Sequence, residues 1–358
     1  MLLHLLRSAT PILGALVLIS FTGCSDGAGA PPVALQSTAG AGAGLGARKP
    51  LTLSVFQYLN VENYLLPMDV DNPTAITEGP DGNQWIVGSN SSQILKVSRA
   101  GKVTEYPIPT ANASPQGIAP GPDGNLWFTE LNSSKIGKIT INGKVTEYPI
   151  PTAHAWPEGI AAGPDGNLWF TELGGNKIGR ITVSGMVTEY PIPTANTSPQ
   201  FIAPGPDGSL WFTGETSQIR KITPAGKITE YPARAANIFL GGITAGPDGN
   251  LWFTEPDRIG KITPAGTLTE YPLAQSNGIP GYVVAGPDGN LWFTEFGDIA
   301  RDSISGKIGR ISPAGKITEY AVPGSDQFPY GIALDCDREI WFTASGGNVI
   351  GKFTVPSQ

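Results

Sequence analysis

One ten-residue stretch, Gly163-Pro-Asp-Gly-Asn-Leu-Trp-Phe-Thr-Glu172, returns with little change along most of the chain and fixes where everything else must sit. Its tryptophan recurs as Trp85, Trp127, Trp169, Trp211, Trp252, Trp292 and Trp341, at intervals of 42, 42, 42, 41, 40 and 49. Seven copies at a period of about 42 predict seven like structural units. Within each copy Pro-Asp-Gly is a turn. Proline presets φ at the first corner, aspartate caps the local backbone, and glycine takes the left-handed position. The run that follows, residues 168–172, is aromatic and β-branched with alternating faces, so it reads as the second strand of a hairpin.

Four strand-like runs fall in each unit, illustrated by the third: residues 159–162, 168–172, 177–182 and 186–190. Four antiparallel strands per unit, repeated seven times, predict an all-β, seven-bladed β-propeller. The fourth run carries Thr-Glu-Tyr, with tyrosines at 106, 148, 190, 231, 271 and 320. Each stands at one constant separation from the next repeat tryptophan, Tyr106 from Trp127 as Tyr320 from Trp341. Unit six is the outlier: the gap from Glu295 to Lys307 is more than twice that from Glu172 to Lys177, which makes 296–306 a longer loop of the kind that carries specificity on a rigid scaffold. After Trp341 no Thr-Glu-Tyr run follows, whereas Val-Phe-Gln-Tyr at 55–58 resembles one and has no unit of its own. The N-terminal segment is therefore expected to supply the outer strand of the seventh blade and close the ring.

The composition agrees. Among 358 residues there are 47 glycines and 33 prolines with only 15% charged side chains, which suits many short strands and turns. The net charge is −7 and the basic residues are scattered, so nothing marks a nucleic-acid surface. Residues 1–24 hold an apolar run from Pro11 to Phe21 and end in Phe21-Thr-Gly-Cys24, the pattern of an export signal with a lipoprotein-type cleavage site at which Cys24 would be acylated. Ordinary cleavage is the alternative. Residues 25–50 are rich in Gly, Ala and Pro and read as a tether, leaving 51–358 for the propeller. The expected setting is the bacterial envelope, with the membrane reached only through the lipid anchor and the propeller a monomer. Cys336 is then the one remaining cysteine, so no internal disulfide is available.

Chemistry is expected on the face where strand two ends, at Gly88, Glu130, Glu172, Gly214, Glu255, Glu295 and Ala344. Four glutamates there, Glu130, Glu172, Glu255 and Glu295, are candidates to hold a divalent cation or to raise one another's pKa, against the plainer reading that they repeat a structural strand end. At a fixed distance upstream, at the start of strand one, stand Thr74, Gln116, Glu158, Gln200, Gly241, Gly281 and Tyr330, a largely polar set that predicts a lined, wet channel for a small-molecule or peptide ligand. His154 is the one histidine beyond the signal segment, near Trp156 and Glu158; it is either a catalytic group or a solvated loop residue. The Pro-Asp-Gly-Asn turns lack the ligand spacing of an EF-hand, and the Thr-Glu-Tyr glutamates read as a solvated outer face.

The repeated decamer, together with Asn176-Lys-Ile-Gly-Arg-Ile-Thr182 and Thr188-Glu-Tyr-Pro-Ile-Pro193, resembles the virginiamycin B lyase (streptogramin lyase) family over roughly residues 51 to 354. The resemblance implies a seven-bladed propeller with a magnesium ion that opens a cyclic depsipeptide at its ester bond by elimination. It also implies a histidine at the start of strand one of blade six acting with the glutamate that closes strand two. That glutamate matches Glu295, but the histidine position is Gly281, and a second family histidine, in blade seven, is Tyr330 here. Elimination needs a positioned base. The alternative catalytic set is in blade three, where Glu158 and Glu172 occupy both equivalent positions with His154 just upstream. A non-catalytic propeller that binds a ligand or partner on the same face is the competing reading.

Overall fold

A computed structural model describes residues 57–67, 72–232, 239–274, 278–296, 306–323 and 328–355. Cys24, the tether and most of the 296–306 loop lie outside the described residues. Seven four-stranded antiparallel blades follow one another, the first six with their strands in chain order. In blade three these are Pro157–Ala162, Leu168–Glu172, Lys177–Ile181 and Val187–Pro191. The first strands neighbour one another around the centre, from Pro73–Glu78 in blade one to Pro329–Leu334 in blade seven and back, which makes the ring.

The repeat residues explain the blade. All seven repeat tryptophans are essentially without solvent exposure. Each donates its indole N–H to the aspartate of its own turn, as Trp169 does to Asp165 at 2.9 Å. In the same blade each of the first six stacks on the Thr-Glu-Tyr tyrosine, as in Trp169 on Tyr190 at 5.4 Å. A strand-three cation, Arg180 in blade three, covers both rings and pairs with the turn aspartate at 3.8 Å. Gly166 sits at φ +73, as the turn requires, and a Cβ on Gly163 would collide with the Trp169 ring.

The seventh blade takes its outer strand from the N-terminal side. Glu62–Leu65 pairs antiparallel with Val349–Thr354, and Tyr64 stacks on Trp341 at 5.7 Å. The strand that occupies this place is not the expected 55–58. Val55 and Phe56 lie outside the described residues, and Gln57–Tyr58 pairs in parallel with Ile317–Ala321, the outer strand of blade six. The tyrosine spacing carries the better sequence signal, since Tyr64 stands as far before Trp85 as Tyr106 stands before Trp127.

Adjacent blades are joined by the threonine of Leu-Trp-Phe-Thr. Thr171 Oγ1 accepts the N–H of Gly159 at 2.8 Å and donates to the carbonyl of Gln200 in the next blade at 2.9 Å. The same donation runs from Thr129 to Glu158, Thr213 to Gly241, Thr254 to Gly281, Thr294 to Tyr330 and Thr343 to Thr74. The belt breaks between blades one and two, where Val87 stands in place of threonine. Thr171→Val is isosteric and leaves a buried N–H and carbonyl unpaired, so it is expected to cost about 1–3 kcal/mol in denaturant unfolding. Val87→Thr is expected to gain up to ~1 kcal/mol. Equal midpoints for Thr171→Val and the parent would show that the belt contributes nothing.

Candidate functional site

The strand-two glutamates do not gather at one mouth. Glu130, Glu172, Glu255 and Glu295 sit in four different blades and are 0–2% exposed. Strand pairing sets Glu130, Glu172 and Glu295 opposite Lys135, Lys177 and Lys307 of strand three. The Thr-Glu-Tyr glutamates come down onto the same lysines. Lys177 lies 3.0 Å from Glu189, and Lys307 bridges Glu295 at 3.3 Å and Glu319 at 2.8 Å. Two carboxyls therefore share one ammonium between strands two and four. This corrects the reading of Glu147, Glu189 and Glu319 as a solvated outer face: they are half-buried or nearly so and act on the strand-two acids.

Burial sets the protonation of these pairs. It pushes Glu130 up to about 7, against the Ser133 hydroxyl that donates to it at 2.7 Å. Burial and then the charge of Glu189 push Glu172 up to about 8. Burial and Glu319 push Glu295 up to about 7, with Lys307 opposing. Glu147 and Glu189 are held below the usual carboxylate range by hydrogen bonds and lysine, overcoming their own desolvation. One acid of each pair thus carries the proton and the other the charge.

Blade four has Gly214 where the glutamate would be and a fully buried Arg220 on strand three. That guanidinium donates to Glu230 at 2.8 Å, Gln218 Oε1 at 2.6 Å and Thr216 at 3.0 Å. The charge inside this blade is balanced with the opposite residue order. Among the described residues no group of three or more His, Cys, Asp or Glu side chains is placed to hold a metal ion. The four glutamates, each inside its own blade, do not fit a shared magnesium.

The centre of the ring is different. Thr74, Gln116, Glu158, Gln200 and Tyr330 are all buried at the start of their first strands, so the set expected to line a wet channel is packed. Aromatic side chains meet across it: Phe201 of blade four contacts Tyr282 of blade six edge-on at 5.4 Å, and Tyr282 lies 5.0 Å from Tyr330 of blade seven. Phe296 packs against Tyr330 at 5.5 Å. Phe201 and Tyr282 escaped the sequence reading, yet they stand one position after the ring residues, where the other blades have Ala75, Gly117, Gly159, Gly242 and Gly331. A large ring in a column of small residues is the signal that marks them.

Glu158 is the carboxyl among the candidates without a basic partner. It is 3% exposed, and its Oε2 has no hydrogen-bond partner. Burial, with the charge of the exposed Glu215 at the end of strand two in blade four, holds it well above the usual carboxylate range. Its charge in turn acts on Tyr282, on the far side of the ring, whose hydroxyl burial already pushes well above its usual value. Glu158 thus faces the aromatic group across the centre. Glu172 is on another path: Pro157, not Glu158, pairs with Glu172, and a strand-one bulge between Pro157 and Ile160 sends Glu158 elsewhere. The blade-three pair is not a working pair.

His154 is exposed in the loop before blade three at φ +55, and Trp156, 44% exposed at φ +47, rests its ring over Gly174. The family-histidine positions hold no base. A Cβ on Gly281 would meet Thr294 Oγ1 and Phe296 at 3.1 Å, and Tyr330 belongs to the aromatic group.

The virginiamycin B lyase family model matches residues 57–231 and 194–358. Among solved structures, the chain is similar to a streptogramin B lyase at 35% identity, with 83% of this chain and 98% of that chain covered and a TM-score of 0.77. It is similar at 36% identity to a catalytically inactive histidine-to-alanine variant of virginiamycin B lyase from Staphylococcus aureus with quinupristin, covering 83% and 100% at a TM-score of 0.77. Hydrazine synthase from Kuenenia stuttgartiensis, at 18% identity, 82% and 98% coverage and a TM-score of 0.67, shares the fold alone. No curated protein matches the chain.

Proposed function

The chain belongs to the virginiamycin B lyase family, and from that membership we propose that it is a lyase acting on an ester- or lactone-containing ligand at the centre of the propeller, with Glu158 as its base. The observation that carries the reading is the Glu158 carboxyl, buried without a basic partner and raised well above its usual pKa. A carboxylate so placed is a stronger base than a solvated one once ionised. In the elimination, Glu158 takes the proton on the carbon next to a carbonyl, that C–H pair becomes the new C=C bond, and the adjacent C–O bond breaks. The released carboxylate carries away the second electron pair. Tyr282 and Tyr330 bound the same space and exclude water from it.

Glu295 is not available for this work, because Lys307 and Glu319 engage it inside blade six. That engagement, with Gly281 and Tyr330 at the histidine positions, favours a second reading in which the propeller binds its ligand without opening it. A ring-opening assay on cyclic depsipeptides and lactones separates the two. Glu158→Gln is expected to lower turnover by about 10²-fold or more, the loss ordinarily seen for a general base, with the melting temperature nearly unchanged. Absence of turnover in the parent, with ligand still bound, would leave the binding propeller.

A further inference from the structure

We propose that the centre of the propeller is a binding site for an organic cation, an ammonium or N-methylated ammonium group seated between the Glu158 carboxylate and the ring faces of Phe201, Tyr282 and Tyr330. The inference deepens the reading of the ring centre as a ligand site, and it concerns recognition, so it stands or falls independently of ring opening.

The argument starts from an unmet requirement. A buried carboxyl oxygen with no hydrogen-bond partner costs more than a paired one, and Glu158 Oε2 is such an atom in a chain whose other buried acids have been given partners. Glu130, Glu172 and Glu295 each share a lysine with an outer-strand glutamate. At Glu158 no such lysine is provided; the charge that acts on it is that of another acid, Glu215. Both charges repel an anion and favour a cation entering from the rim, where Glu215 is exposed.

The other wall selects the kind of cation. Glu158 faces Tyr282 electrostatically, and Tyr282 is joined to Phe201 and Tyr330 at centroid distances of 5.4 and 5.0 Å. Aromatic faces attract a large, weakly hydrated cation, and more strongly in a dry site. A hard divalent ion instead calls for several oxygen ligands, and no three acidic or histidine side chains converge among the described residues. The column of small residues supports a built feature: Phe201 and Tyr282 replace the Gly or Ala found at that position in the other five blades, and the large rings of blades four and six meet across the centre.

The test uses the full mature protein and two probes of the same shape, choline and its uncharged isostere 3,3-dimethyl-1-butanol, titrated by calorimetry or by NMR. Choline is expected to bind saturably, about tenfold or more tighter than the neutral isostere. Glu158→Gln, which keeps size and shape, is expected to remove that preference, and Phe201→Leu to weaken choline several-fold. If Glu158→Gln fails to fold, the isostere comparison and Phe201→Leu still decide. Equal binding of the two probes, no saturable binding of choline, or undiminished choline affinity in Glu158→Gln would each overturn the proposal. Loss of ring opening with choline binding intact would instead overturn the lyase reading alone.

Discussion

Removal of residues 57–66 from the mature chain is expected to lower the melting temperature by roughly 10 °C and to cause aggregation on heating. The strand Glu62–Leu65 supplies the whole outer ladder of blade seven. Tyr64 stacks on Trp341 and also packs over Gly101, the turn glycine of blade one, so one side chain ties the seventh blade to the first. Leu66 is buried with Trp341 and Ile350, and Leu59 with Tyr320 and Val322 on the other side. Three such side chains at ~1.5–3 kcal/mol each give about 5 kcal/mol. In a chain of this size 1 kcal/mol moves the melting temperature by about 2 °C. Aggregation follows because Val349–Thr354 becomes an unpaired edge. Tyr64→Ala isolates the aromatic part and is expected to account for a third or more of the shift. Unchanged melting of both variants would show that the ring holds without this strand.

Stability is expected to fall as pH rises from about 5 to 9. Folding raises Glu130 and Glu295 to about 7 and Glu172 to about 8, so the folded chain holds protons that the unfolded chain has already released. For an acid shifted in this direction, the full contribution is present below the unfolded value of ~4.3 and is lost as pH climbs through the folded one. The loss should amount to about 1–2 kcal/mol per site, since the neighbouring lysine offsets part of the burial cost. At the acid end Glu147, Glu189 and Glu230 work the other way: their folded values are depressed, and their contribution disappears as pH falls below ~4. The optimum is therefore near pH 5. Urea midpoints at pH 5, 7 and 9 measure the slope, and Glu172→Gln, which stays neutral throughout, should flatten it between 7 and 9. A flat profile in the parent would mean that these carboxyls ionise in the folded state without cost.

Much of the architecture was legible because the repeat is local chemistry. Pro-Asp-Gly demands a turn, the tryptophan after it needs the turn's aspartate for its N–H, and the tyrosine of the fourth strand stacks on it, so one repeat contains nearly all the contacts of one blade. Even the strand that completes blade seven was written there, in the interval between Tyr64 and Trp85, although the more conspicuous Val-Phe-Gln-Tyr drew attention to the wrong segment. Loss of the family histidines at Gly281 and Tyr330 was equally plain from the chain alone.

The candidate site was decided by the tertiary structure. The order of residues shows that Glu172 ends a strand, but not that Lys177 and Glu189 cover it from the neighbouring strands and keep it from any mouth. Glu158, by its spacing, looked like its partner; the strand-one bulge turned it toward the centre instead, a displacement of one residue that reverses the side a chain faces. Phe201 and Tyr282 are far apart in the chain and meet only because the ring closes and brings blades four and six within reach. Local sequence thus determined what each blade is made of. Which acids are paired, which one is left without a base beside it, and what stands opposite it depend on contacts between units, and those exist only in the closed ring.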